Sequence, residues 1–112
     1  MRGPRTTYSG RRAASRGADA ALKLPVNSVL PAITGTTTVG QTLTCSTGTW
    51  SNTPDVYAYQ WHRGSSPITG ATASTRLLAA PDADAAIKCT VTATNLGVSA
   101  VATSAATAAV AA

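Results

Sequence analysis

From Ile87 to Ala93 the chain alternates strictly, with Ile87, Cys89, Val91 and Ala93 apolar and Lys88, Thr90 and Thr92 polar between them. A pleated strand points successive side chains to opposite faces, so this stretch predicts a strand with one face buried. The same period places Leu43 and Cys45 together in "TLTC", and Tyr57, Tyr59 and Trp61 together in "YAYQW", opposite Ala58, Gln60 and His62. Shorter runs of the same kind are "PAIT", "TRLLA" and "VSAVATS". Between the runs lie "GTTTVGQ", "TGTWSNTPD", "RGSSPITG", "APDAD" and "TNLG", each a cluster of turn-forming residues. Short alternating strands between regular turns predict an all-β sandwich or barrel, with the three alternating faces meeting in its core.

The pattern begins only after Pro25. Residues 1–24, "MRGPRTTYSGRRAASRGADAALKL", show no alternation and scatter Gly, Ser and Arg, which reads as an arm, leaving 25–112 as the folded domain. Charge divides at the same place. Arg2, Arg5, Arg11, Arg12, Arg16 and Lys23 against Asp19 give the first 24 residues the whole net charge of +5, and the rest of the chain balances to zero. The basic character therefore belongs to the arm and says nothing about the body. No apolar run of the length of a secretory signal follows the arginines, and a transit peptide fits poorly in front of a β-sandwich. No stretch approaches the roughly 20 apolar residues of a membrane-spanning helix. The Ala-rich residues 105–112 lack an amphipathic stripe, so they are expected as an extension of the last strand or a frayed tail rather than a helix.

Composition then sharpens the core. Phe is absent, and four of the five aromatic residues, Trp50, Tyr57, Tyr59 and Trp61, fall between residues 45 and 64. With so few large side chains, the core needs its anchors: Trp61, Tyr59, Leu43, Ile87 and Val91 are the expected set. Trp50, in the "GTW" turn, is expected to cover the sandwich end. Cys45 and Cys89 stand on separate strands with Trp61 on a third between them, the arrangement of an immunoglobulin-type sandwich, where the indole packs against a disulfide joining the sheets. A disulfide closing such a loop contributes about 3 to 4 kcal/mol in the chain-entropy account. A reducing cytoplasm would keep the thiols apart chemically, so the redox state stays open while the sulfurs are expected to be neighbours.

Residues 39–97 carry a more specific pattern: Val39-Gly40, Thr42 to Thr44, Gly48 to Trp50, Tyr59 to Trp61 with Arg63, Ile68, Gly70 to Thr72, Asp82, and Val91 to Asn95. This resembles the Ig-like modules of bacteriophage structural proteins and of bacterial surface-protein repeats. Arg76 departs from the pattern where a Tyr usually stands, as does Asp84 where a Gly usually stands. Ile87 occupies the position of a tyrosine corner, so none is expected. The resemblance implies a fold, an immunoglobulin-like two-sheet sandwich behind an extended basic N-terminal arm, more strongly than it implies a function.

Candidate chemistry is sparse. His62 is the single histidine and lies on the face opposite Trp61, where a solvated strand residue is the expected reading. Asp82 and Asp84 sit in a turn before a strand and are expected to cap backbone amides. Two cysteines and one histidine fall short of a four-ligand zinc site, and no glycine-rich phosphate loop precedes a helix. The expected protein is therefore not an enzyme and uses no cofactor or metal. The resemblance implies a virion structural protein on the outer surface of a particle, foremost a phage capsid decoration protein. In that reading residues 1–24 anchor on a capsid or tail protein through Arg2, Arg5, Arg11, Arg12, Arg16 and Lys23, because arginine forks pair two-pronged with acidic groups. A phage tail or neck protein, an adhesin or carbohydrate-binding module touching host-surface glycans, and nucleic-acid binding through the arm are the other readings.

Overall fold

The computed structural model describes residues 24–112, and within them the chain is all-β. Its strands are β1 (Val26–Val29), β2 (Ile33–Thr34), β3 (Thr42–Cys45), β4 (Thr49–Ser51), β5 (Val56–Arg63), β6 (Ser66–Pro67), β7 (Thr75–Leu77), β8 (Ile87–Asn95) and β9 (Val98–Thr103). One 3-10 turn, Ala80–Asp82, precedes β8. Every pairing between these strands is antiparallel: β9-β8-β5-β6 form a four-stranded sheet, β2-β3-β7 a three-stranded one, and β1-β4 a ribbon.

The alternation of β8 accounts for the register of the large sheet. Trp61 lies opposite Cys89 and Tyr59 opposite Val91, so the apolar face of β5 meets that of β8 row by row. Leu43 and Cys45 enter the same core from the three-stranded sheet, joined by Ile68, Ala71, Leu78, Ile87 and Val110. Leu43, Trp61, Ile87 and Val91 are fully buried, while Tyr59 and Trp50 are half-buried and packed against the cluster. Each indole also satisfies its N–H, Trp61 Nε1 donating to Ala73 O at 2.7 Å and Trp50 Nε1 to Thr47 O at 2.7 Å. A buried tryptophan needs that partner, since an unpaired N–H would offset much of the ring's burial.

One expectation is corrected. Trp50 belongs to a strand, β4, rather than to a turn, because Thr49–Ser51 pair with β1. Gly48 makes that approach: its φ is +75°, and a Cβ there would overlap the carbonyl of Val29. The first described strand begins at Val26, and Asn52 Nδ2 donates to Leu24 O at 2.7 Å. Of the two expectations for residues 105–112, an extension or a frayed tail, the hydrogen bonds favour the extension. Ser104 N, Thr107 N and Val110 N donate to Cys89 O, Ile87 O and Ala85 O, and Ala111 N to Thr37 O. Val110 is thereby sealed into the core.

Candidate functional site

The most organised polar cluster sits at one end of the core, where three segments converge on Asp82. Arg63 ends β5, Arg76 lies in the middle of β7, and Asp82 closes the 3-10 turn before β8. Arg63 Nε donates to Asp82 Oδ1 at 2.9 Å with its Nη2 2.8 Å from the same oxygen; Arg76 Nη2 donates to Oδ2 at 2.9 Å. The backbone N–H of Ala79 adds a third donor to Oδ2 at 2.8 Å, the capping role expected of this aspartate. Asp82 is fully buried. Burial pushes its carboxyl upward, but the Ala79 N–H, the two guanidinium hydrogen bonds and the charge of Arg76 outweigh that and hold it below the ordinary aspartate value. A carboxylate with every lone pair occupied and two cations attached cannot accept a substrate proton, so the cluster is a clamp between strands. Arg76 Nε, buried without a partner, marks the cost of drawing that guanidinium inward. Sequence reasoning had noted Arg76 only as a departure from a tyrosine; the signal that it pairs with Asp82 is the coincidence of one buried acid with two arginines on neighbouring strands.

Cys45 and Cys89 come from facing sheets and are both buried as free thiols. Cys45 Sγ donates to Ser46 O at 3.1 Å, and Cys89 Sγ lies 3.9 Å from Thr90 O. Burial is the largest influence on both thiols and raises both, Cys89 to about 12. Neither is therefore a thiolate near neutrality, which is the form a nucleophile or metal ligand requires. Burial also raises the phenol of Tyr59, followed by the influence of the two thiols and Tyr57.

The other expected positions divide cleanly. Trp61, Leu43, Ile87 and Val91 gather in the core with Tyr59 at its margin. Arg2, Arg5, Arg11, Arg12, Arg16 and Lys23 lie outside the described residues. Among the described residues no three His, Cys, Asp or Glu side chains group as metal ligands, and no helix is long and apolar enough to cross a membrane. His62 is not simply solvated: its Nε2 lies 3.2 Å from Thr90 Oγ1, which in turn lies 3.1 Å from Thr103 Oγ1. An apolar groove of about 510 Å³ runs between residues 29–33 and 105–107. Comparison with protein-family models, with curated proteins and with solved structures finds no match to this chain.

Proposed function

We propose that this chain is a non-enzymatic structural protein of a phage particle, an immunoglobulin-like module held at the particle surface by its basic segment, residues 1–24. The observation that carries the non-enzymatic part is how the body's reactive groups are used. Asp82 is saturated by Arg63 and Arg76, the two thiols are buried and protonated, and both indoles are hydrogen-bonded within the body. At the centre of the fold the carboxylate is spent on two arginines and the thiols are buried and protonated. The strand order supports the immunoglobulin-like reading: the cysteines on β3 and β8 and the tryptophan on β5 occupy the second-, sixth- and third-strand roles of that sandwich, with β9-β8-β5 as one sheet and β2-β3-β7 as the other. The particle assignment rests on the resemblance of residues 39–97, and the anchoring role on the concentration of charge in the first 24 residues.

The test is a binding assay on purified empty and DNA-filled capsids across a salt series. Reversing Arg2, Arg5, Arg11, Arg12 and Arg16 to Glu abolishes binding if they dock on an acidic protein surface, and Lys at the same positions weakens it by losing the two-pronged contact. A nucleic-acid tail gives the opposite result, equal binding by the Arg and Lys versions, steep salt dependence and no retention by empty capsids, and that outcome overturns the proposal.

A further inference from the structure

The outer face of the four-stranded sheet carries a polar arrangement outside the core. Register sets His62 opposite Lys88 across β5 and β8, and Thr103 opposite Thr90 across β9 and β8. Ser65 joins them from the turn between β5 and β6, and the five residues line a concavity of about 180 Å³. None of the five is a carboxylate, and both ion pairs among the described residues go to Asp82, leaving the Lys88 ammonium without a counter-charge there.

A short hydrogen-bonded chain crosses the concavity. His62, Thr90 and Thr103 form a chain of two hydrogen bonds through Thr90 Oγ1. A neutral imidazole and two hydroxyls carry three polar protons, one more than two bonds consume. If Nε2–H donates to Thr90 and Thr90 to Thr103, the Thr103 hydroxyl keeps a proton to give. If the chain runs the other way, Thr90 donates to Nε2 and the imidazole N–H at Nδ1 is left over. In either sense the chain ends in an unspent donor, beside a cation and the Ser65 hydroxyl. What favours an anion is the Lys88 ammonium in a concavity without a carboxylate, next to hydroxyls and an imidazole that can turn a donor toward an oxyanion.

We propose that this concavity binds a single oxyanion group, with Lys88 supplying charge and His62, Thr90, Thr103 and Ser65 supplying hydrogen bonds. Its volume is well below the roughly 300 to 1,000 Å³ of pockets that enclose drug-sized ligands, so it takes one anionic group rather than a whole large molecule. A phosphate and the carboxylate of a sugar acid share that chemistry. The inference stands on the sheet's outer face alone and does not depend on the particle reading.

The experiment titrates the ¹⁵N-labelled full chain with sodium phosphate, sodium glucuronate and, as a neutral control, glucose, at constant ionic strength. Saturable amide shifts at His62, Ser65, Lys88, Thr90 and Thr103 are expected with one or both anions and not with glucose. Saturation by phosphate alone identifies a phosphate site, and by glucuronate alone a sugar-acid site; both support the proposal. Lys88→Gln, whose own spectrum reports that the fold is intact, lowers affinity about tenfold, the scale of one charge-assisted hydrogen bond. Lys88→Arg keeps the charge and restores most of the binding. No saturable shift at these five amides, shifts confined to residues 1–24, equal affinity in Lys88→Gln, or the same response to glucose overturns it.

Discussion

Asp82 ties two strands to the 3-10 turn, and its energetics follow from what surrounds it. A buried carboxylate survives only when its charge is compensated, and here two guanidinium groups and a backbone N–H do so. Its pKa is lowered in the folded chain, so the unfolded chain binds the proton more readily. The stabilisation is thus fully present above the unfolded value of about 4 and is lost as pH falls through the lower folded value. Unfolding in urea followed from pH 6 down to pH 2 is expected to show this decline, and Asp82→Asn to flatten it while costing stability at neutral pH. That cost is about 3 to 5 kcal/mol, because Arg63 and Arg76 would be left as partly buried cations with no counter-charge. An Asn variant with unchanged pH dependence would place the acid-sensitive group elsewhere.

At the scale of elements, the hairpin from β8 to β9 shows local sequence and fold in mild conflict. Asn95 pairs with Val98, so the connection is the two residues Leu96 and Gly97, both with positive φ, at 52° and 81°. Two positive φ values are the mark of the tight turn that matches strand twist, and it favours Asn-Gly over Leu-Gly. Leu96 is also largely solvent-exposed, so it gains no burial in exchange. Leu96→Asn is expected to raise stability by about 1 kcal/mol in a urea melt, the cost of holding a branched side chain in the left-handed region. The same contrast explains what could be read beforehand. The stretches with clear alternation, such as residues 56–63 and 87–95, appear as strands close to where the period placed them. Val26–Val29 and Thr49–Ser51 carry no such signal because each is short, bracketed by Pro, Gly or Asn, and paired only with a partner twenty or more positions away. Their extended shape comes from tertiary pairing, which leaves no local period. For the same reason the Arg63–Asp82–Arg76 clamp and the His62–Thr90–Thr103 chain were invisible: each brings together residues from different strands, and only the register states which ones meet.

For the whole molecule, stability and net charge reside in different parts of the chain. The apolar alternation, both cysteines and the Asp82 clamp all fall after Pro25, whereas the six basic residues Arg2, Arg5, Arg11, Arg12, Arg16 and Lys23 all precede it. Among the described residues the body is tied at both ends, through Asn52 on Leu24 O and through Val110 in the core. Deleting residues 1–23 is therefore expected to leave a cooperative thermal transition within about 3 °C of the full chain, a shift smaller than the 4 to 8 °C that 1 kcal/mol produces in a domain of this size. The same deletion removes the entire net charge of +5. Retention on a cation-exchange column at neutral pH should disappear with it, and solubility should fall near neutrality, where a body with no net charge loses its self-repulsion. Calorimetry and chromatography on the two proteins check both halves together. A large fall in Tm would mean that residues 1–23 pack on the sandwich and contribute to its core. Undiminished retention would mean that the body presents a basic face of its own, with Lys88 and its neighbours on the outer sheet the first positions to substitute.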